Sequence, residues 1–142
     1  MAAELIDGEK LAEIVKNEIR FELTSLKKEG IIPSLIALQI GENSSSKIYL
    51  DNQRNSCESL GINYTVLTLS QNISQTALED NIRNLNMDPT IHGIILQHPF
   101  PSHIDSIQTI QVMDPNKDVE GLHPINCGRL FYEEYHIAPC TA

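Results

Sequence analysis

Pro33-Ser34-Leu35-Ile36-Ala37-Leu38-Gln39-Ile40-Gly41 runs directly into Glu42-Asn43-Ser44-Ser45-Ser46-Lys47-Ile48-Tyr49-Leu50, and this junction decides the fold. The first nine residues are short, nearly all apolar and bounded by Pro and Gly, the signature of a strand buried on both faces. Asn43 and the serines after it are N-cap candidates for a helix running to about Leu60 and stopped by Gly61. The same alternation continues downstream. Tyr64-Thr65-Val66-Leu67-Thr68-Leu69 reads as a strand rich in β-branched residues. Residues 74–85 read as a helix capped by Ser74, with Leu78, Ile82 and Leu85 on one face, and Ile91-His92-Gly93-Ile94-Ile95-Leu96 as a third buried strand. Upstream, Leu11, Val15, Ile19, Leu23 and Leu26 lay a helical stripe along residues 8–29, ended by Gly30. The order αβαβαβ predicts an α/β fold: three αβα layers around a mainly parallel sheet built from right-handed βαβ units.

After Gln97 the texture changes. Gln97-His98-Pro99-Phe100-Pro101 is stiffened by two prolines. A short helix is expected at about residues 104–112, then a polar loop, Asp114-Pro115-Asn116-Lys117-Asp118-Val119-Glu120-Gly121-Leu122. The last residues, 136–142, are expected to be extended and apolar, as in a chain cut at a domain boundary. The 142 residues are the size of one domain, and the 41% hydrophobic fraction is enough for a packed core, made mostly of Ile, Leu and Val because aromatics are only 5%.

Charge and composition narrow the function. With 10 Lys and Arg against 19 Asp and Glu, the net charge of -9 offers no electrostatic footprint for nucleic acid or an anionic membrane. No apolar run approaches a bilayer span, and the N-terminus lacks the pattern of a secretion signal. Three widely spaced cysteines suggest neither a disulfide framework nor a zinc ribbon, so a reducing, cytoplasmic location is the expectation. The five histidines form no HxxxH or HExxH pattern, and no metal site is expected. No GxGxxG or GxxxxGK[ST] occurs to cradle a phosphate.

In open α/β sheets ligands bind at the carboxyl ends of the strands. Tyr49 and Gln53, four apart, share one face of the helix that starts at the first such end. Tyr49 could stack on a flat heterocycle while Gln53 offers a donor and an acceptor, although a partly buried Tyr beside a solvated amide is the commoner arrangement. Gln97 closes the third strand, where its amide either orients a ligand or caps a turn. Glu120 could accept from the amino group and ring N–H of a pterin or purine, or be one solvated loop acid among many.

Taken together and in order, Gly41-Glu42-Asn43-Ser44-Ser45-Ser46-Lys47-Ile48-Tyr49, Gly93-Ile94-Ile95-Leu96-Gln97-His98-Pro99-Phe100-Pro101, Pro115-Asn116-Lys117-Asp118-Val119-Glu120-Gly121-Leu122, Ile125-Asn126-Cys127-Gly128-Arg129-Leu130 and Pro139-Cys140-Thr141 resemble the methylenetetrahydrofolate dehydrogenase/cyclohydrolase family. The resemblance covers essentially all of residues 1–142 and implies a single folate-binding catalytic domain, the family's first lobe, without the Rossmann lobe for NADP or NAD and without the C-terminal helix that packs back on it. It implies tetrahydrofolate as the substrate, a pocket of Tyr49, Gln53, Leu96, Gln97, His98 and Glu120, and one-carbon metabolism as the setting. It further implies a homodimeric parent, with this domain alone a monomer, binding no nicotinamide nucleotide and inactive as a dehydrogenase.

Three positions depart from the family pattern. In Ser46-Lys47-Ile48-Tyr49-Leu50-Asp51-Asn52-Gln53 the Ser and Tyr match, but Gln53 stands where the family has its catalytic Lys. Gln97 matches the glutamine that supports that Lys, His98 replaces a common leucine, and Glu120 replaces an aspartate. A desolvated Lys can relay a proton near neutrality, whereas a carboxamide does not titrate, and losing such help costs about 10²–10⁴-fold. Arg54, about 100° round the helix, and Lys47 are not placed to substitute. The expectation is therefore a parent that oxidises 5,10-methylenetetrahydrofolate but hydrolyses the methenyl product poorly; a non-catalytic folate-binding module is the alternative. Glu120 reaches about 1.5 Å further than an aspartate, so either the pocket recedes or pterin binding weakens.

Overall fold

The structure is a computed structural model, and it describes residues 7–134 and 136–139. Eight elements follow in order: α1 (Gly8–Lys28), β1 (Ser34–Ile40), α2 (Ser44–Leu60), β2 (Asn63–Leu69), α3 (Gln75–Met87), β3 (Gly93–Leu96), α4 (Ser106–Val112) and α5 (Pro124–Phe131). The three strands form one parallel sheet in the order β2-β1-β3, with β1 in the centre.

Alternation along β1 builds two cores. Ile36, Leu38 and Ile40 face α3 and α4, where they pack with Leu78, Ile82, Ile94, Leu96 and Met113. Ala37 faces the other way and packs with Leu50 of α2 and Ile95 of β3. Leu38, Leu78, Ile82 and Ile94 are wholly buried. The expected three layers are thus present, and β1 is buried on both faces. The α1 stripe forms a helix, but none of its residues is buried, and its main neighbour is α2 rather than the sheet.

Local chemistry sets the element ends. Ser74 caps α3 by accepting from the Ala77 N–H at 3.2 Å. Asp105 caps α4 by accepting from the Gln108 N–H, which moves the start of that helix from 104 to Ser106. β3 begins at Gly93, two residues later than expected, because the Ile91 N–H turns back to the Asp88 carbonyl. One helix, α5, is an addition to the expected pattern. Its cap is the His123 ring, which accepts from the Ile125 N–H, and Gly128 lies in its interior; neither is an ordinary helix signal. In the segment expected to be extended, 140–142 lie outside the described residues.

Candidate active site

A cleft of about 270 Å³ opens where β1 and β3 end, lined by Tyr49, Leu96, Gln97, His98, Glu120 and Leu122. A larger hollow of about 400 Å³, lined by Arg20, Lys27, Ile32 and Pro33 among others, lies at the opposite, amino end of the strands. Strand carboxyl ends are the ligand side of such sheets, and only the smaller cleft gathers the expected side chains.

Three elements converge on the cleft. The first is the amino end of α2. Buried Ser46 donates its hydroxyl to the His98 carbonyl at 3.4 Å, and one turn of helix then presents Tyr49, half exposed, at the mouth. The second is the end of β3. Gln97 keeps the strand ladder by donating its N–H to the Leu38 carbonyl, while its side-chain Nε2 donates to the His98 carbonyl at 3.1 Å. Its Oε1 is buried without a partner among the described residues. The His98–Pro99 peptide is cis, and the His98 ring stacks on Phe100 at 4.4 Å. Although His98 as a residue is exposed, packing around the ring pushes the imidazole pKa down.

The third element is the loop after Lys117. Gly93 lets it approach: a Cβ there would fall 2.5 Å from Val119 Cγ1, so only glycine admits Val119 over the strand. Glu120, next in the chain, reaches the cleft half-buried. Burial pushes its carboxyl pKa up, and the charge of Asp118 adds in the same direction.

Gln53 does not line the cleft. Its Oε1 accepts from the Tyr64 hydroxyl at 2.8 Å, tying α2 to β2, and burial holds that phenol's pKa up at about 12. The structure thus brings together Tyr49, Leu96, Gln97, His98 and Glu120 and leaves Gln53 outside. Sequence reasoning left out Leu122, which follows Gly121 in the quoted loop, and Asp118, whose burial beneath that loop has no local sequence signal.

Parallel α/β layers with a cleft at the strand ends, walled by an aromatic ring, an amide and a carboxylate, define an α/β domain whose candidate site lies on the usual ligand side of the sheet. The family model for "Tetrahydrofolate dehydrogenase/cyclohydrolase, catalytic domain" matches residues 6–120. The bifunctional protein FolD of Nautilia profundicola is 38% identical over 137 residues, 96% of this chain and 48% of that protein. The bifunctional FolD methylenetetrahydrofolate dehydrogenase/cyclohydrolase of Campylobacter jejuni superposes with a TM-score of 0.94 at 36% identity, over 99% of this chain and 50% of that one. The Trypanosoma brucei enzyme, solved with NADP cofactor and inhibitor, gives 0.89 at 32% identity, over 99% and 49%. The chain belongs to the tetrahydrofolate dehydrogenase/cyclohydrolase family and spans about half the length of the curated relatives it matches.

Proposed function

We propose that this chain is the folate-binding half of a 5,10-methylenetetrahydrofolate dehydrogenase whose methenyltetrahydrofolate cyclohydrolase step is impaired. One observation carries the reading: the cleft at the strand ends gathers Tyr49, Gln97 and Glu120 around one space. Tyr49 stacks on the flat part of the folate at the mouth. Glu120 accepts from the pterin amino group and ring N–H, its charge strengthening both bonds. Gln97, its Nε2 held by the His98 carbonyl, forms a wall of the same space. Leu96 and His98 close the sides. These contacts bind and orient, which is what a dehydrogenase asks of its folate lobe.

Hydrolysis of the methenyl group asks for more, since a proton must move as water adds to the C=N bond. Gln53 cannot carry it, and its carboxamide is already engaged by Tyr64. That engagement also favours the second reading, a folate-binding module without catalysis of its own.

NADP or NAD serves the longer protein in this proposal, and the residues of this half do not fit it. The turns after β1, β2 and β3 are Gly41-Glu42-Asn43, Ser70-Gln71-Asn72 and Gln97-His98-Pro99, none of them the glycine-rich turn that meets a pyrophosphate. The space over Gly41 is filled by the Gln71 side chain. The 142 residues alone then bind folate and no nicotinamide nucleotide. Dimerisation through the nucleotide-binding half, a monomeric state for this half alone and a cytoplasmic location complete the proposal.

Calorimetry with 5-formyltetrahydrofolate, paired with a methenyltetrahydrofolate hydrolysis assay, tests it. Folate binding that Tyr49→Ala weakens at least tenfold, with hydrolysis close to the uncatalysed rate, is expected; absence of folate binding, or hydrolysis typical of a full cyclohydrolase, overturns it.

A further inference from the structure

We propose that Asp118 is the positioning residue of this site: its carboxylate, buried beneath the loop, fixes the path of residues 119–122 and so delivers Glu120 to the cleft. The inference rests on the folate reading above.

Asp118 is wholly inaccessible to solvent and does not line the cleft, so it does not touch the ligand. Its Oδ2 accepts from the His123 N–H at 2.8 Å and from Asn126 Nδ2 at 2.9 Å. The same Asn126 Nδ2 donates to the Pro115 carbonyl at 2.8 Å, which draws the two ends of the loop and the first turn of α5 onto one carboxylate. On the sheet side, the Ile94 N–H donates to the Lys117 carbonyl at 2.8 Å, and Asp118 forms a parallel bridge with Ile94. Only residues 119–122 lie between the anchored positions, and both loop residues of the cleft, Glu120 and Leu122, are among them.

The electrostatics argue that this carboxylate serves geometry. The Lys117 amine is turned away, donating to the Leu85 and Asp88 carbonyls. The second oxygen, Oδ1, has no partner among the described residues. A buried charge so poorly compensated adds little to stability compared with an apolar residue of similar size. What it provides is an acceptor strong enough to hold a backbone N–H and a side-chain amide at one point. Asparagine can retain both bonds through its carbonyl oxygen; alanine retains neither.

The test is a double-mutant cycle on the 142-residue chain. Binding of 5-formyltetrahydrofolate is measured by calorimetry at a temperature where circular dichroism shows each variant folded. Asp118→Ala should weaken binding at least tenfold, and Asp118→Asn by no more than about threefold. Combining Asp118→Ala with Glu120→Gln should weaken binding little beyond Glu120→Gln alone, because both act through one contact. If Asp118→Ala does not fold, Asn126→Ala, which removes one of the two anchoring bonds, takes its place in the cycle, with a several-fold loss that Glu120→Gln again absorbs. A folded Asp118→Ala or Asn126→Ala that binds like the wild type, or losses that add in full to that of Glu120→Gln, overturns the positioning role while the folate reading stands. Wild-type protein that binds no folate, or a Glu120→Gln variant that binds undiminished, removes the folate reading and this inference with it.

Discussion

Replacing Glu120 by Gln should move ligand affinity and protein stability in opposite directions. In the proposed complex the Glu120 carboxylate accepts a pair of hydrogen bonds from the pterin edge. Hydrogen bonds to a charged group are worth about 1.5–3 kcal/mol each net of water. The carboxamide keeps one acceptor and turns a donor toward a donor, so one bond of the pair is lost. Because the cleft is open on one side and Glu120 only half-buried, we take the lower part of that range, about 2 kcal/mol, or about 30-fold in Kd at 1.4 kcal/mol per decade. The free protein responds the other way. The folded state raises the Glu120 pKa through burial and the nearby Asp118 charge. The stability this group contributes is fully present below its unfolded pKa and is lost as pH rises through the folded pKa. At neutral pH the ionised Glu120 is therefore a burden that Gln does not carry. Calorimetry with 5-formyltetrahydrofolate should show about 30-fold weaker binding, and wild-type affinity should fall as pH drops through the raised Glu120 pKa while the variant's does not. Scanning calorimetry of the free proteins should place the variant's Tm above the wild type's at neutral pH, with the gap closing on acidification. Equal affinities and parallel pH profiles would refute the reasoning.

Three other substitutions test separate links. Gln53→Lys in the full-length parent should raise methenyltetrahydrofolate hydrolysis by about 10²–10⁴-fold if the missing proton relay is the whole defect; an unchanged rate counts against the assignment of that position. Leu78→Ala should cost about 2–5 kcal/mol in guanidinium unfolding, because its side chain is wholly buried between α3 and β1; a loss below about 1 kcal/mol would show that this core is not packed as described. Gly121→Ala should lower both Tm and folate affinity, since Gly121 has φ of 68° and a Cβ there would fall 2.7 Å from the Pro139 backbone nitrogen; a variant with wild-type melting would contradict that path for the chain.

The alternation of doubly buried strands with amphipathic helices carried the fold because the two periodicities differ so plainly at β1 and α2. What it could not carry was α5, whose cap is an imidazole and whose interior holds Gly128. In the cleft, Gln97 and Tyr49 were readable because strand carboxyl ends are where ligands sit, whereas Glu120 stood out only through the family resemblance of its loop. The departure of Gln53 from the cleft was not, because it depends on a bond to Tyr64, eleven residues on, that exists only once α2 has packed on β2. Asp118 looks in sequence like any acid of a polar loop; burial alone distinguishes it.

A three-strand sheet leaves two rims. On the outer rim of β3, the Ile94 amide is already spoken for by the Lys117 carbonyl, and Asp118 lies alongside as a one-residue stub of a fourth strand. Unsatisfied rims are templates on which stray chains add themselves and aggregate. The stub therefore covers part of an edge that would otherwise stand open to a stray strand.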